Sequence, residues 1–203
     1  MMKLYYSPQS RAARPRWLLE EIGAPYELVR LNLAAGEQRK PQYLAVNPNG
    51  TVPTLVDGEL TLFESAAICQ YLADKFPDQR LAPPLGTPAR GLYYQWIHYA
   101  MSGLEPPAVT IFLHTIQKPE AERIPALVTE AKQQLAAALG VVDRVLAGRP
   151  CILGDQFTAG DVMIGSTLVW AQMMGLLGSD LQAIPAYMAR LGARPAFQRA
   201  NAD

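Results

Sequence analysis

Only two cysteines and two histidines occur in 203 residues. Cys69 and Cys151 are far apart, in none of the spacings that zinc ligands or redox dithiols use. The histidines are scattered, so no metal centre is expected. Cys69 falls inside an apolar helical pattern and is expected as a buried small hydrophobe. Net charge is missing too, because 18 basic residues balance 18 acidic ones. No Lys/Arg run forms a basic face, which argues against nucleic acid as a partner. Steering of any substrate must therefore be local. No segment approaches the ~20 consecutive apolar residues that span a bilayer. The start, MMKLYYSPQS, carries one lysine and no apolar run of signal length, so a cytoplasmic protein is the expectation. Repeats and low-complexity tracts are absent as well.

What is present is apolar mass and punctuation. Half of the residues are hydrophobic, enough for a sizeable core. KLYY, residues 3–6, is too short to judge alone. In RAARPRWLLEEIG, Ala13, Trp17, Leu18 and Ile22 fall near helical spacing and Gly23 marks a stop. Pro15 sits early in that helix, where a missing N–H costs little. YELVRL, residues 26–31, reads as a strand, and the polar stretch after it holds one short helix. VPTLVDGELTLFE reads as a hairpin about Asp57-Gly58. From Ser65 to Phe76, Ile68, Leu72 and Phe76 make an i, i+4 stripe.

The order β-α-β-α-β-β-α favours a mixed sheet, parallel across the helix with an antiparallel hairpin at one edge. LAPPLGTP, residues 81–88, is rich in Pro and Gly and reads as a linker. Beyond it the pattern is helical, with stripes over 120–147, 158–176 and 183–192. Pro106-Pro107 must kink or break the first long helix. The expected organisation is therefore an α/β domain over 1–80, the linker, and an all-helical domain over 89–203. Thr158 with Asp161 three residues on predicts a helix N-cap, with Phe157 and Val162 as a hydrophobic staple.

Three places can carry chemistry. YYSPQS sits between strand and helix, where C-x-x-C would make a redox site; here the flanking residues are Ser7 and Ser10. A helix N-terminus and the Ser10 hydroxyl together favour a thiolate over a thiol. In NPNGTVPTL, Pro53 opens a strand and the Val52-Pro53 bond is a candidate for cis. The Val52 backbone can there pair with an extended peptide; an ordinary trans proline ending a loop is the alternative. At Glu64-Ser65 the start of the third helix offers N–H groups and a hydroxyl to an anion, or simple capping.

Together these stretches resemble a cytosolic-type glutathione transferase, bacterial in kind. YYSP, AGEQRKPQYLAVNPNGTVPTLVDGELTLFESAAICQYLAD, ILGDQFTAGDVMIG and RPAFQRA carry the likeness, which spans essentially the whole chain. The most specific part is the NPxGxVPxL…ESxAI block. The resemblance implies a thioredoxin-like N-terminal domain, a helical C-terminal domain, a homodimer, and glutathione as co-substrate without metal. Val52 and cis-Pro53 would hold the cysteinyl part of glutathione, and Glu64 and Ser65 its γ-glutamyl end. Gln38 and Arg39 match the phi-class segment that reaches the glycine carboxylate. Thr51 stands where that class often has a longer polar side chain.

The N-terminus is beta-like, but the catalytic cysteine of that class is Arg11 here. The His-Lys pair of its first long helix is replaced by Glu105 and Pro106. A serine-type site of theta or phi character is then implied. Ser10 lies four residues before Arg14, as in insect and theta-like members. Ser7 fits the tau-like pattern, and Tyr6 or Tyr5 would serve as in mammalian-type enzymes. Trp96, Tyr99, Met101, Leu104 and Phe112 are candidates to line a pocket for a hydrophobic electrophile, about half of them plain core. Other activities fit the same thiolate: peroxidase, dehalogenase or isomerase. A non-catalytic docking or ligand-carrying module uses the same fold. A two-fold interface is expected near Cys69 and Tyr71.

Overall fold

The computed structural model describes residues 1–202. The chain divides into two compact units, Met1–Ala82 joined by the chain from Ala193 onward, and Pro83–Gly192. The first begins with β1 (Met2–Tyr6), α1 (Ala13–Ile22) and β2 (Tyr26–Arg30). A single 3₁₀ turn, Glu37–Arg39, leads to the short α2 (Pro41–Leu44). β3 (Thr54–Asp57), β4 (Leu60–Phe63) and α3 (Ser65–Lys75) follow.

The sheet order is β2-β1-β3-β4. β1 pairs parallel to β2 and antiparallel to β3, and β3 pairs antiparallel to β4. This is the mixed sheet expected from the element order. KLYY, ambiguous alone, becomes a strand because it is paired on both sides, with Met2, Leu4 and Tyr6 buried. In the hairpin Asp57 pairs with Leu60, so the loop is Gly58-Glu59, and Gly58 takes φ 62°. α1 stops at Gly23, whose φ of 72° lets its N–H return to Leu19 O at 2.9 Å. Trp17, Leu18 and Leu19 of α1 and Ile68, Cys69 and Leu72 of α3 are fully or almost fully buried. Burial pushes the Cys69 thiol up to about 12, so it is an inert core residue.

The second unit holds α4 (Pro88–Tyr99), α5 (Glu105–Phe112), α6 (Pro125–Leu146), α7 (Ala159–Met173) and α8 (Ala183–Gly192). Thr87 caps α4 by accepting from Arg90 N at 3.3 Å. The Pro106-Pro107 break takes a specific form. A π-helical turn, Ala100–Leu104, joins α4 to α5, and the two prolines occupy the first turn of α5. Preceded by helix, they cannot donate back to the π turn, and the hydrogen-bond register shifts there. A second π turn, Leu113–Gln117, follows α5.

α7 opens with the expected capping box. Gly160 N donates to Thr158 Oγ1 at 3.2 Å and Thr158 N to Asp161 Oδ2 at 2.8 Å. Asp161 also accepts from Ile152 N at 2.7 Å and from the Tyr187 hydroxyl at 2.9 Å. Burial pushes its carboxyl up, and these donors pull it back down.

One segment departs from the sequence reading, which placed everything from 89 to 203 in the helical half. α9 (Pro195–Ala200) belongs to the sheet-bearing unit. Phe197 packs edge-on to Trp17 with ring centroids 4.8 Å apart. Arg194 grips Glu21 with two bonds of 2.6 and 2.9 Å, and Arg199 donates to Glu20 at 2.7 Å. The packing and the ion pairs, both with α1, draw this terminal helix to the sheet unit. Cys69 is the buried small hydrophobe expected, and Tyr71 is part-exposed.

Candidate functional site

Three segments of the sheet-bearing unit carry the expected residues: the β1–α1 loop, the loop before β3, and the start of α3. The first turns sharply at Gln9, which takes a left-handed φ of 54°. Ser10 lies three residues before α1 and serves the turn. Its hydroxyl donates to Ser7 O at 2.6 Å and accepts from Ala12 N at 3.2 Å. Ser10 O accepts from Ala13 N at 3.1 Å. The Ser7 hydroxyl, by contrast, has no hydrogen-bond partner among the described residues. Tyr6 is buried in β1 beneath the Arg16 guanidinium, 5.2 Å from its ring centre. Tyr5 packs against Tyr43, with ring centroids 5.4 Å apart.

The Val52-Pro53 bond is cis. Thr54 is the first paired residue of β3, so Val52 lies just beyond the ladder, and its N–H and C=O take no backbone partner among the described residues. What holds this loop is a buried polar knot that the sequence reading did not anticipate. The Tyr43 hydroxyl bonds Thr51 O at 2.6 Å and Thr54 Oγ1 at 2.7 Å. Asn47, with no exposed surface, donates from Nδ2 to Thr51 O at 2.9 Å and Thr54 Oγ1 at 3.0 Å. Its Oδ1 accepts from Asn49 N at 3.0 Å, closing an Asx turn. The NPNG run is rich in turn residues, but nothing local points to Tyr43. The Thr51 side chain is exposed, and only its carbonyl enters the knot.

Gln38 and Arg39 lie on the 3₁₀ turn beside this loop. Gly50 permits the close approach: with φ 59°, a Cβ there would lie 2.8 Å from Gln38 O and 3.1 Å from Arg39 Nη1. Gln38 Oε1 is buried and accepts no hydrogen bond among the described residues. Buried polar atoms are rarely left so without a role.

At the third segment, Glu64 takes φ 70° and ψ 112°, sparsely populated for any residue but glycine. It starts α3, whose first intrahelical bond runs from Ile68 N to Glu64 O at 3.0 Å. The N–H groups ahead of Ile68 are free of intrahelical partners. Ser65 is 3% exposed, and its hydroxyl accepts from Arg14 Nη1 at 3.1 Å. Arg14 is itself 3% exposed. A helix N-terminus, a hydroxyl and a guanidinium behind it make an environment for an anion.

The aromatic candidates belong to the helical unit. Leu104 has no exposed surface and Trp96 only 5%, so both are packed core. Tyr99, Met101 and Phe112 keep part of their surface. Tyr99 stacks edge-on to Trp96 at 5.4 Å, and Phe112 sits 5.9 Å from Trp170. Among the described residues no group of three or more His, Cys, Asp or Glu gathers in a metal-binding arrangement. None of the helices described is long and apolar enough to cross a membrane.

Residues 1–74 match the family model for the glutathione S-transferase N-terminal domain, and residues 125–197 that for its C-terminal domain. Glutathione S-transferase GstA of Escherichia coli O157:H7 is 34% identical over 202 residues, covering 98% of this chain and 96% of that protein. Glutathione S-transferase 3 of Zea mays is 30% identical over 205 residues, covering 98% and 92%. Among solved structures, the ternary complex of BphK, a bacterial GST, superposes with TM-score 0.87 at 34% identity, covering 98% of each chain. The theta class glutathione S-transferase of Xanthomonas axonopodis pv. citri, solved with glutathione bound, gives 0.85 at 33%, covering 100% of this chain and 97% of that one.

Proposed function

As the chain belongs to the glutathione S-transferase family, we propose that it binds glutathione on its sheet-bearing unit and activates the thiol for attack on small hydrophobic electrophiles. The buried Ser65 at the start of α3, with Arg14 behind it, carries this reading. The γ-glutamyl carboxylate meets the Ser65 hydroxyl and the α3 N–H groups, beside Glu64. The cysteinyl backbone pairs with the unpartnered N–H and C=O of Val52, next to Pro53. Gln38 and Arg39 take the glycine end, with Thr51 at the rim. The Gln38 amide can present its oxygen or, turned over, its NH₂ to a carboxylate.

The sulfur then lies by the Ser7–Ser10 loop. A free thiol with pKa near 8.5 is only a few per cent ionised at neutral pH. Lowering that value by about two units requires roughly 2.7 kcal/mol. A hydroxyl bond to a thiolate contributes about 1.5–3 kcal/mol, so one donor aided by a helix N-terminus suffices. Ser10 is the first donor, by its spacing to Arg14. To reach sulfur it exchanges a neutral bond to Ser7 O, of about 1 kcal/mol, for a stronger charge-assisted one. A specific observation favours Ser7 as a second reading, because its hydroxyl has no bond to give up. Tyr99, Met101 and Phe112 are the part-exposed members of the candidate electrophile lining on the helical unit. A homodimer is proposed with it, as the resemblance implies.

The test is retention on immobilised glutathione, elution by free glutathione, and conjugation of a nitro-activated aryl chloride. Retention with thiol consumption supports the transferase. Retention with no conjugation, and no turnover of peroxide or haloalkane, points instead to a ligand-carrying module.

A further inference from the structure

The hydroxyl of Ser65 has two roles available, donor and acceptor, and its neighbour decides between them. A guanidinium can only donate. Arg14 Nη1, 3.1 Å away, therefore fixes Ser65 Oγ as an acceptor on that side. The hydroxyl hydrogen is left over, and it finds no acceptor among the described residues. Ser65 is 3% exposed, so this is a buried polar hydrogen awaiting a partner. It stands at the N-terminus of an eleven-residue helix, where the unpaired N–H groups ahead of Ile68 add more donors. These groups all donate, so their complement is an acceptor-only group such as a carboxylate.

We propose that Arg14 is a positioning residue for the ligand's carboxylate: by donating to Ser65 it orients that hydroxyl outward as a donor. This rests on the glutathione reading above, with the γ-glutamyl carboxylate as the acceptor. Arg14 does not touch the ligand. It comes from the first turn of α1, and α1 packs on α3. The guanidinium also brings a positive charge behind the hydroxyl, which polarises the O–H bond in a site of low dielectric.

A merely structural Arg14, tying α1 to α3, would affect folding without depending on the hydroxyl of Ser65. A double-mutant cycle on glutathione affinity separates the two. By calorimetry, Arg14→Met and Ser65→Ala should each raise Kd about tenfold, and the double variant also about tenfold. The thiol pKa of bound glutathione should stay at its wild-type value in Arg14→Met. Losses that multiply to about a hundredfold, or no loss in Arg14→Met, overturn the proposal. If thermal melts show that Arg14→Met does not fold, the cycle is run with Arg14→Lys, which keeps a donor. That substitution should cost about threefold in affinity where Ser65 is intact and nothing when added to Ser65→Ala; equal losses in both contradict the proposal. Wild type that fails to bind glutathione removes the functional reading itself, and this inference with it. Wild-type binding with multiplicative losses overturns this inference alone.

Discussion

Asn47 has no exposed surface and commits both ends of its amide to the loop around it. Replacing it leaves Asn49 N without its acceptor, while Thr51 O and Thr54 Oγ1 keep only Tyr43. Asn47→Ala should lower stability by about 1–3 kcal/mol in urea titrations, the cost of one stranded polar group. Glutathione affinity should fall with it, because Val52 and Gln38 flank that loop. Glu64 predicts the opposite balance. Its side chain is exposed while its backbone takes φ 70°, a conformation that costs about 1–3 kcal/mol in a non-glycine residue. Glu64→Gly should leave stability unchanged or raise it by up to ~1 kcal/mol, while weakening glutathione binding. A variant that loses stability and keeps affinity would contradict a ligand role for Glu64. Glu64 and Ser65 were visible in the sequence as a cap signal; Asn47 was not read. The sequence could not reveal Tyr43 or Arg14, whose partners lie 8 and 51 residues away.

At the scale of elements, α9 depends on a carboxylate that serves two donors. Glu21 Oε1 accepts from Trp17 Nε1 at 2.9 Å and from Arg194 Nε at 2.6 Å. Glu21→Ala should therefore release α9 first. Its amide hydrogen exchange should accelerate about tenfold or more, with the β1 and β3 amides unaffected. Uniform acceleration through the sheet would contradict this. Six residues give too weak a period to read as a helix, and the partner of Arg194 is 173 positions away, which is why α9 escaped the sequence reading. The prolines at 106 and 107 announced a break, but no sequence signal distinguishes a π turn from a kink. The capping box at Thr158 was legible because both of its bonds are local.

Among the described residues, carboxylates held below their ordinary range outnumber those held above it. Bonds from Lys75 and Tyr71 lower Asp57. The Asn32 N–H and then Lys40 lower Glu37. Burial raises Glu20, but Arg199 and Tyr26 outweigh it. Asp143 is likewise raised by burial and lowered further by three backbone N–H groups of residues 182–184. A carboxylate with a depressed folded pKa contributes stability above its unfolded value, near 4, and loses it as pH falls through the folded one. Asp161 runs the other way, its share fading as pH rises through its raised value. The depressed group prevails, so midpoint temperature should hold above about pH 5 and drop below about pH 4. A midpoint that rises on acidification through pH 4 would contradict this. In assembly, exposed Leu60 and Phe63 lie on the edge strand β4. Light scattering at micromolar concentration should give twice the 22.2 kDa chain mass; a monomer would refute the dimer.

The proposal that the Ser7–Ser10 loop lowers the thiol pKa of bound glutathione is tested by following thiolate absorbance against pH for wild type, Ser10→Ala and Ser7→Ala with glutathione bound. The expected wild-type value lies about two units below 8.5, restored toward that value by Ser10→Ala. Restoration by Ser7→Ala alone would transfer the role to Ser7. Glutathione that binds with an unshifted thiol in the wild type would contradict thiol activation outright.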